Sequence, residues 1–440
     1  MSEKEILHLY HRFTFGLHPI YLPAKLKLSR QDLVDELFRE SERFVHLRHF
    51  DDIRKKKKNI GPLKILKMIL KSRKDLQELN LVWLEHLSFT KAQLREKMTF
   101  FWHNHFATSA PFPVLMQAQN NTIRKHALGN FKELLFEVAK DPAMIIYLNN
   151  QQNKKNAPNE NFAREVMELF TLGRAQYTER DIKEAARAFT GWHVGLDGFF
   201  YFDKNEHDEG EKTVLGRTGK WNGEDVLNIL LEKPMLAEFI CTKLYRAFVN
   251  PSADSDFIKQ WAEYFRNNNY DIEKTLRYLL LSDHFYDIKN RGVVIKSPVE
   301  LIAEYKRFFQ LRLQKKENMI KLQRNLGQVL FLPPNVAGWP GDKKWIDGTA
   351  LLIRMNLPYL FSGLSEFSPK DKDLPESATI KEKSKKPFLA SLSYSGVKDV
   401  SHSGYWINAP DVSVPSSIKS VSIIEEKMRL LLSLPEYQLH

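Results

Sequence analysis

Two neighbouring stretches decide the fold, NENFAREVMELFTLG at residues 159–173 and YTERDIKEAARAFTGWH at residues 177–193. On a helix with 3.6 residues per turn, the first stretch separates its apolar side chains from its charged ones. One face holds Phe162, Val166, Leu169 and Phe170, and the opposite face holds Glu160, Arg164 and Glu168. The second stretch also concentrates carboxylates and arginines, and it ends in a histidine. The two stretches therefore predict adjacent amphipathic helices whose polar faces either line a site or face water.

Helical patterns extend from these stretches along most of the chain. Ser29 stands before an acidic first turn, and Thr178 with Asp181 has the spacing of an N-terminal cap. Two regions break the pattern. Residues 194–220 are rich in Gly, Phe and Tyr, which predicts a small β-hairpin flap, and FLPPNVAGWPGDKKW at residues 331–345 predicts a loop that is either ordered or exposed. The predicted fold class is mainly α: a large multi-helix globular body, the hairpin flap, and a C-terminal helix after a linker.

A change in composition after Phe367 predicts the domain boundaries. Residues 1–366 are expected to form the helical body. Residues 367–387 are charged and poor in aromatic side chains, which is typical of a linker. Residues 388–440 combine a Ser-rich segment with a short amphipathic helix, and we expect this helix to dock onto the body.

Composition limits the function classes. The 440 residues are 43% hydrophobic, which is ample for a large core. The net charge of +12 lies partly in runs such as RKKKK at residues 54–58, which we interpret as solvated loops because aromatic residues are not interleaved with the charges. The single cysteine, Cys241, excludes an intrachain disulfide and a cysteine-based zinc site. The sequence shows neither a signal peptide nor a membrane-length apolar run, which predicts a soluble cytoplasmic protein.

Several segments resemble, in order and spacing, the hallmarks of one bacterial family. They are FWHNHFATS (101–109), DPAMIIYLNN (141–150), the two opening stretches, HDEGEKTVLG (207–216), KSPVEL (296–301) and GQVLFLPPNVAGWPGDKKWI (327–346). On these segments the chain resembles the family catalogued as domain of unknown function 1800 (DUF1800). The resemblance implies a mainly helical protein without an assigned activity. The resemblance also implies that one role of the protein is to bind a partner protein. Members of the family often occur beside a second family, which is related to alkaline phosphatases and sulfatases.

The first stretch supplies the candidate acid–base residues. Glu165 stands at the border of the polar and apolar faces, where partial burial would raise its pKa and suit acid–base catalysis. Glu168 is the second carboxylate, although a surface ladder with Arg164 explains it without a function. Arg187, on the second stretch, is expected either to hold an anionic group or to pair with Glu165 or Glu168 across the helix interface.

Histidines supply the candidate metal ligands. On a helix, His103 and His105 lie roughly 200° apart and are not expected to share one ion. His105 falls on the apolar side, which predicts a hydrogen-bonded core residue, whereas His103 falls on the more polar side and is the candidate base or ligand. His193 follows the second helix and is equally well explained as a plain loop residue. His207 and Asp208 lie in the predicted flap.

Combined with the two carboxylates, these residues would form a mixed nitrogen and oxygen ligand set of the kind that zinc, manganese or iron binds. The usual phosphate-loop, dinucleotide, metalloprotease and serine-hydrolase motifs are missing from the sequence. Two functions therefore remain open. One is a hydrolase-type enzyme with a polar Glu/His/Arg cleft, with or without a divalent metal. The other is a non-catalytic helical scaffold that binds a partner protein, for example of the phosphatase/sulfatase-like family.

Overall fold

The computed structural model describes residues 1–51, 62–313, 315–364, 390–392 and 415–440. The helices of these ranges are α1 (Glu3–Phe13), α2 (Leu22–Lys25), α3 (Arg30–Glu42), α4 (Pro62–Phe89), α5 (Gln93–His105), α6 (Pro113–His126), α7 (Phe131–Ala139), α8 (Pro142–Tyr147), α9 (Asn161–Glu165), α10 (Glu179–Ala188), α11 (Gly223–Leu231), α12 (Pro234–Phe248), α13 (Ser255–Asn267), α14 (Ile272–Leu281), α15 (Pro298–Phe309), α16 (Lys316–Asn325), α17 (Gly348–Phe361), α18 (Ser416–Lys419) and α19 (Ile424–Leu432). The predicted fold class, mainly α, is confirmed.

Capping side chains begin the helices where the sequence predicts them. Ser29 accepts a hydrogen bond from the Asp32 backbone, and the Asp32 side chain accepts one from the Ser29 backbone. Thr178 and Asp181 form the same reciprocal box at the start of α10. Each box satisfies backbone N–H groups that have no partner within the helix, and the loss of such a cap typically costs about 1 kcal/mol.

The flap is more divided than predicted. It begins at β1 (Trp192–Val194), which pairs antiparallel with β2 (Phe200–Phe202). A second hairpin follows, formed by β3 (Lys212–Val214) and β4 (Arg217–Gly219). The flap therefore consists of two short hairpins instead of one. A further antiparallel pair joins β5 (Arg312–Leu313) to β6 (Ala390–Ser391).

One continuous apolar core runs through the body, and its largest fully buried aromatic side chains are Trp83, Trp102 and Trp261. Residues 331–345 form an ordered loop over one side of this core, with Trp339 and Trp345 buried. Gly338 of this loop has φ +82°, and a Cβ atom at this position would overlap Asn104. The Trp339 amide donates to Asn104 Oδ1 at 2.7 Å, which holds the loop close to the end of α5.

The C-terminal residues lie against the body. Helix α19 packs on α17, and the backbone N–H of Lys296 donates to the Gln438 carbonyl at 2.8 Å. The His440 N–H donates to the Val294 carbonyl, also at 2.8 Å. The predicted linker (367–387) and residues 393–414 of the Ser-rich segment lie outside the described residues, so the domain boundaries stay a prediction. Among the helices of the described ranges, none has both the length and the apolar character that crossing a bilayer requires.

Candidate functional site

The first opening stretch begins as α9 and then widens into a π-helical segment, Val166–Leu172. The segment ends when the Gly173 N–H donates to the Glu168 carbonyl five residues earlier, at 3.0 Å. Thr171 supports this wider turn, because its hydroxyl donates to the Val166 carbonyl at 2.6 Å. Segments of π-helix are rare and occur frequently at functional sites. Glu165 ends α9, and Glu168 lies within the wider turn.

Glu168 is held in place as an anion. Tyr177 donates its hydroxyl to Glu168 Oε2, and Arg174 Nε donates to Oε1 at 2.8 Å. The Tyr177 hydrogen bond and the Arg174 guanidinium hold the pKa of Glu168 below its usual value. Burial and the Glu168 charge raise the pKa of Tyr177 to about 12, so this hydroxyl keeps its proton at neutral pH.

Glu165 lies in the opposite situation. It is half-buried, and its side chain makes no hydrogen bond or ion pair to any residue that the structure describes. Burial, and then the neighbouring charge of Glu168, raise the pKa of Glu165. Burial together with the Glu165 charge also raises the pKa of Tyr147. One short segment thus holds a carboxyl group whose pKa is raised next to one whose pKa is lowered.

Lys243 and His105 bind the backbone of the π-helical segment and contact each other. The sequence did not indicate this contact. Lys243 Nζ donates to the Leu169 carbonyl at 2.9 Å and lies 3.1 Å from His105 Nδ1. His105 Nε2 lies 3.1 Å from the Phe170 carbonyl, so Nε2 carries the proton and Nδ1 accepts from Lys243. Burial lowers the pKa of Lys243 to about 8. The prediction that His105 is a hydrogen-bonded core residue is confirmed.

Arg187 does not pair with Glu165 or Glu168, so that expectation was wrong. Its Nε and Nη2 donate to the Asp208 carboxylate at 2.7 and 3.2 Å, and Nη1 donates to both oxygens of Glu184 at 3.1 Å. The physical reason is that the flap folds back over α10 and brings Asp208 to the guanidinium group. Arg187 thereby ties the flap to α10, and its donors are used by the protein itself.

The flap histidines also bind protein groups. His193 Nε2 lies 2.7 Å from Glu206 Oε2, and Lys154 binds the other oxygen of Glu206 at 2.7 Å. His207 Nδ1 lies 2.9 Å from the Thr190 carbonyl. Thr190 also binds the next residue, because its hydroxyl accepts a hydrogen bond from the Asp208 N–H at 2.8 Å. Asp208 therefore binds Arg187 and His207 binds Thr190, while His193 pairs with Glu206.

His103 does not face a polar surface, in contrast to its predicted position. It is 1% exposed and packs against the rings of Trp83, Phe331 and Trp339, with centroid distances of 4.8, 5.1 and 5.6 Å. Burial lowers its pKa to about 3, so the ring is neutral. The loop at residues 331–345 covers the side of α5 that the helical pattern alone leaves open, and this coverage is why the sequence misplaced His103.

The proposed metal ligands do not come together. Within the part of the chain that the structure describes, no three His, Cys, Asp or Glu side chains are grouped so that they could hold a metal ion. His103 lies under the aromatic loop, His193 lies with Glu206, and Asp208 lies with Arg187. The residues that the structure does gather are Glu165 and Glu168, together with Tyr177, Arg174 and Lys243.

Comparison with known protein families assigns the chain to one family. The chain belongs to the family described as protein of unknown function (DUF1800), whose model matches residues 8–439. The match includes the segments that carry the resemblance and the docked C-terminal residues. Neither the search of curated proteins nor the search of solved structures gave a significant match.

Proposed function

We propose that the protein is a hydrolase-type enzyme in which Glu165 is the general acid and Glu168 is the paired carboxylate base. One observation carries the proposal: two carboxyl groups three residues apart have been placed in opposite surroundings, one without a partner and one bound by Tyr177 and Arg174. Pairs of carboxyl groups whose environments separate their pKa values are the usual arrangement for acid and base work at neutral pH.

The proposed chemistry uses the opposite directions in which the pKa values of Glu165 and Glu168 are shifted. Glu168, ionised, removes a proton from a water molecule as the water oxygen attacks the electrophilic centre of the substrate. Glu165, protonated, gives its proton to the leaving oxygen as the bond to that centre breaks. Proton transfer by a positioned side chain typically accelerates a reaction by about 10² to 10⁴-fold. Tyr177 and Arg174 keep Glu168 oriented.

The first test measures the two carboxyl groups without a substrate. In protein labelled with ¹³C at the glutamate carboxyls, Glu165 is expected to titrate at a higher pH than Glu168. Glu165→Gln and Glu168→Gln assign the two signals. Equal titration of both groups would remove the basis of the proposal.

The second test measures hydrolysis of p-nitrophenyl esters, phosphates and glycosides by the full chain. A hydrolysed substrate should lose at least about 100-fold in kcat in Glu165→Gln. Glu160→Gln is the matched control, because Glu160 lies in the same stretch and its carboxylate binds Arg164 at 3.1 Å. Loss of activity in the control as severe as in Glu165→Gln contradicts the assigned role.

A second candidate function, a scaffold that binds a partner protein, is favoured by the first hairpin of the flap. Leu196, Phe199, Tyr201 and Phe202 are between 45% and 70% exposed on this short hairpin. Clustered exposed apolar side chains frequently mark interaction surfaces. Replacing Phe199 and Tyr201 by Ser should abolish co-elution with a phosphatase/sulfatase-like partner if this function holds, while leaving the titration of Glu165 unchanged.

A further inference from the structure

The last carbonyl groups of the π-helical segment, Val166–Leu172, require partners from outside the helix. In an α-helix, the Gly173 N–H would donate to the Leu169 carbonyl, four residues earlier. Here the Gly173 N–H donates to the Glu168 carbonyl instead, at 3.0 Å. The chain then leaves the helix, because Gly173 has φ +82° and ψ 175°. The Leu169 and Phe170 carbonyls therefore belong to the terminal groups that a helix cannot satisfy by itself.

Two side chains that are remote in sequence supply these partners. Lys243 Nζ, on α12, donates to the Leu169 carbonyl at 2.9 Å. His105 Nε2, at the end of α5, donates to the Phe170 carbonyl at 3.1 Å. Lys243 Nζ also lies 3.1 Å from His105 Nδ1, so each side chain holds the other in place. The Lys243–His105 pair thus takes the place of backbone donors at the end of the segment.

Helix α12 contacts the end of the segment at a second position. Phe239, one turn before Lys243, packs against Gly173, and a Cβ atom added to Gly173 would lie 3.0 Å from the Phe239 ring. Lys243 Nζ lies 4.6 Å from the centroid of the same ring. Among the described residues, the ammonium group contacts two uncharged acceptors and a ring face, and not a carboxylate. The position of Lys243 is therefore set by the backbone that it binds and not by a counter-charge.

The end of the segment also decides which groups reach Glu168. The Glu168 carbonyl accepts from Gly173, and its carboxylate accepts from Arg174 and Tyr177, which follow directly in the chain. A π-helical turn contains more residues than an α-helical turn, because its hydrogen bonds join residues five apart. If the Gly173 N–H returned to the Leu169 carbonyl, the residues after it would move by about one position relative to Glu168.

We propose that the Lys243–His105 pair holds the segment in its π-helical form. Both are positioning residues: by binding the last carbonyl groups, they keep the Glu168 carboxylate within reach of Tyr177 and Arg174. The consequence for catalysis rests on the proposed function of Glu168, whereas the form of the segment does not.

The test is a carboxyl titration of the full chain, labelled with ¹³C at the glutamate carboxyls. In Lys243→Met the Leu169 carbonyl loses its donor, so the segment is expected to rearrange and Glu168 to lose its hydrogen bond from Tyr177. The titration midpoint of Glu168 should then rise, to about the extent seen in Tyr177→Phe, which removes this hydrogen bond directly. An unchanged Glu168 midpoint in folded Lys243→Met overturns the proposal.

Arg246→Met is the matched control, because Arg246 is exposed on the same helix and its loss removes the same charge. The pKa of Glu168 is lowered by its hydrogen bonds to Tyr177 and Arg174. A rise of the Glu168 midpoint in Lys243→Met alone therefore supports a movement of the segment. An equal rise in Arg246→Met would show an effect of net charge and would contradict the role of Lys243.

Two further measurements keep the test decisive where Lys243→Met does not fold. Lys243→Gln has a shorter side chain that ends before the Leu169 carbonyl, and the same rise of the Glu168 midpoint is expected. In wild-type protein labelled with ¹³C at the lysine ε-carbons, one lysine should titrate near the pKa of about 8 that burial gives Lys243. If no lysine titrates there, Lys243 Nζ is not buried against the segment, and the proposal fails.

The hydrolysis assay separates this proposal from the proposed function. On a substrate that the wild type hydrolyses, Lys243→Met should lower kcat by up to about 10²-fold with little change in KM, because the carboxylate is displaced while the contacts that bind the substrate remain. If no substrate is hydrolysed, the proposed function fails, and the titration of Glu168 still decides the role of Lys243. A low kcat in Glu165→Gln together with an unshifted Glu168 in Lys243→Met overturns the role of Lys243 alone.

Discussion

Glu96 and Glu168 are both carboxylates bound by an arginine, yet they lie in opposite surroundings. Glu96 on α5 is fully buried and accepts from Arg124 Nη2 at 3.0 Å and from Trp83 Nε1 at 3.1 Å. The side chain of Glu168 is 17% exposed, and that of its partner Arg174 is 85% exposed. In the interior, a charge must be matched by the protein, whereas near the surface water screens it. The interior charge of Glu96 is thus matched entirely by protein groups, whereas Glu168 and Arg174 keep contact with solvent.

Breaking the interior pair gives the largest expected effect. Arg124→Leu leaves Glu96 buried without its counter-charge, and we expect a loss of about 3 to 5 kcal/mol in the free energy of unfolding. Urea denaturation monitored by circular dichroism measures this loss. Arg217→Leu is the matched control, because it breaks an ion pair with Glu232 whose side chains are 55% and 51% exposed, and it should cost less than about 1 kcal/mol. Similar losses for the two variants would end the distinction between interior and surface charges.

The next largest loss of stability is expected in the loop at residues 331–345, which covers α5. Gly338→Ala requires a Cβ atom at positive φ where Asn104 already lies, so the loop must shift away from α5. We expect a cost of about 2 to 4 kcal/mol from backbone strain and overlap together. Gly341→Ala serves as the control in the same loop, since its φ is −102° and no atom lies within 4 Å of the added Cβ. A neutral Gly338→Ala would mean that the loop is not held against Asn104.

The pH dependence of stability tests the charge state of His103 in the protein interior. The pKa of His103 is lowered by burial to about 3, so between the ordinary histidine value and pH 3 the unfolded chain binds a proton that the folded chain does not. This residue therefore makes stability fall as the pH falls through that window, by about 1.4 kcal/mol per pH unit. In His103→Phe, urea denaturation between pH 6 and pH 4 should show a shallower slope than in the wild type. An unchanged slope would contradict the buried, neutral state of His103.

The smallest effect is expected at the candidate site. Glu165→Gln removes a half-buried carboxyl group that has no described partner, so the free energy of unfolding should change by less than about 0.5 kcal/mol. Chemical denaturation at pH 7 measures the change. A loss above about 2 kcal/mol in the free energy of unfolding would indicate that Glu165 stabilises the fold, which would contradict its proposed role in binding a substrate.

Most of the architecture was predictable from local patterns. The mainly helical class, the caps at Ser29 and Thr178 and the buried thiol of Cys241 follow from periodicity and short-range chemistry, and each is found. The site was predictable only in part. Glu165 and Glu168 were identified because they lie on one helix, whereas no pattern within the helix indicated that Lys243, remote in the chain, binds the Leu169 carbonyl.

The sequence by itself therefore determined which segments are helical, where they begin and which faces are apolar, because these properties depend on residues within one or two turns of each other. Only the tertiary structure decided that His103 is covered by aromatic rings, that Arg187 binds the flap, and that Arg354 on α17 binds the Gln438 side chain near the C-terminus. Each of these outcomes requires contact between groups far apart in the chain. Burial then fixes their charge states, because it removes the water that would otherwise screen them.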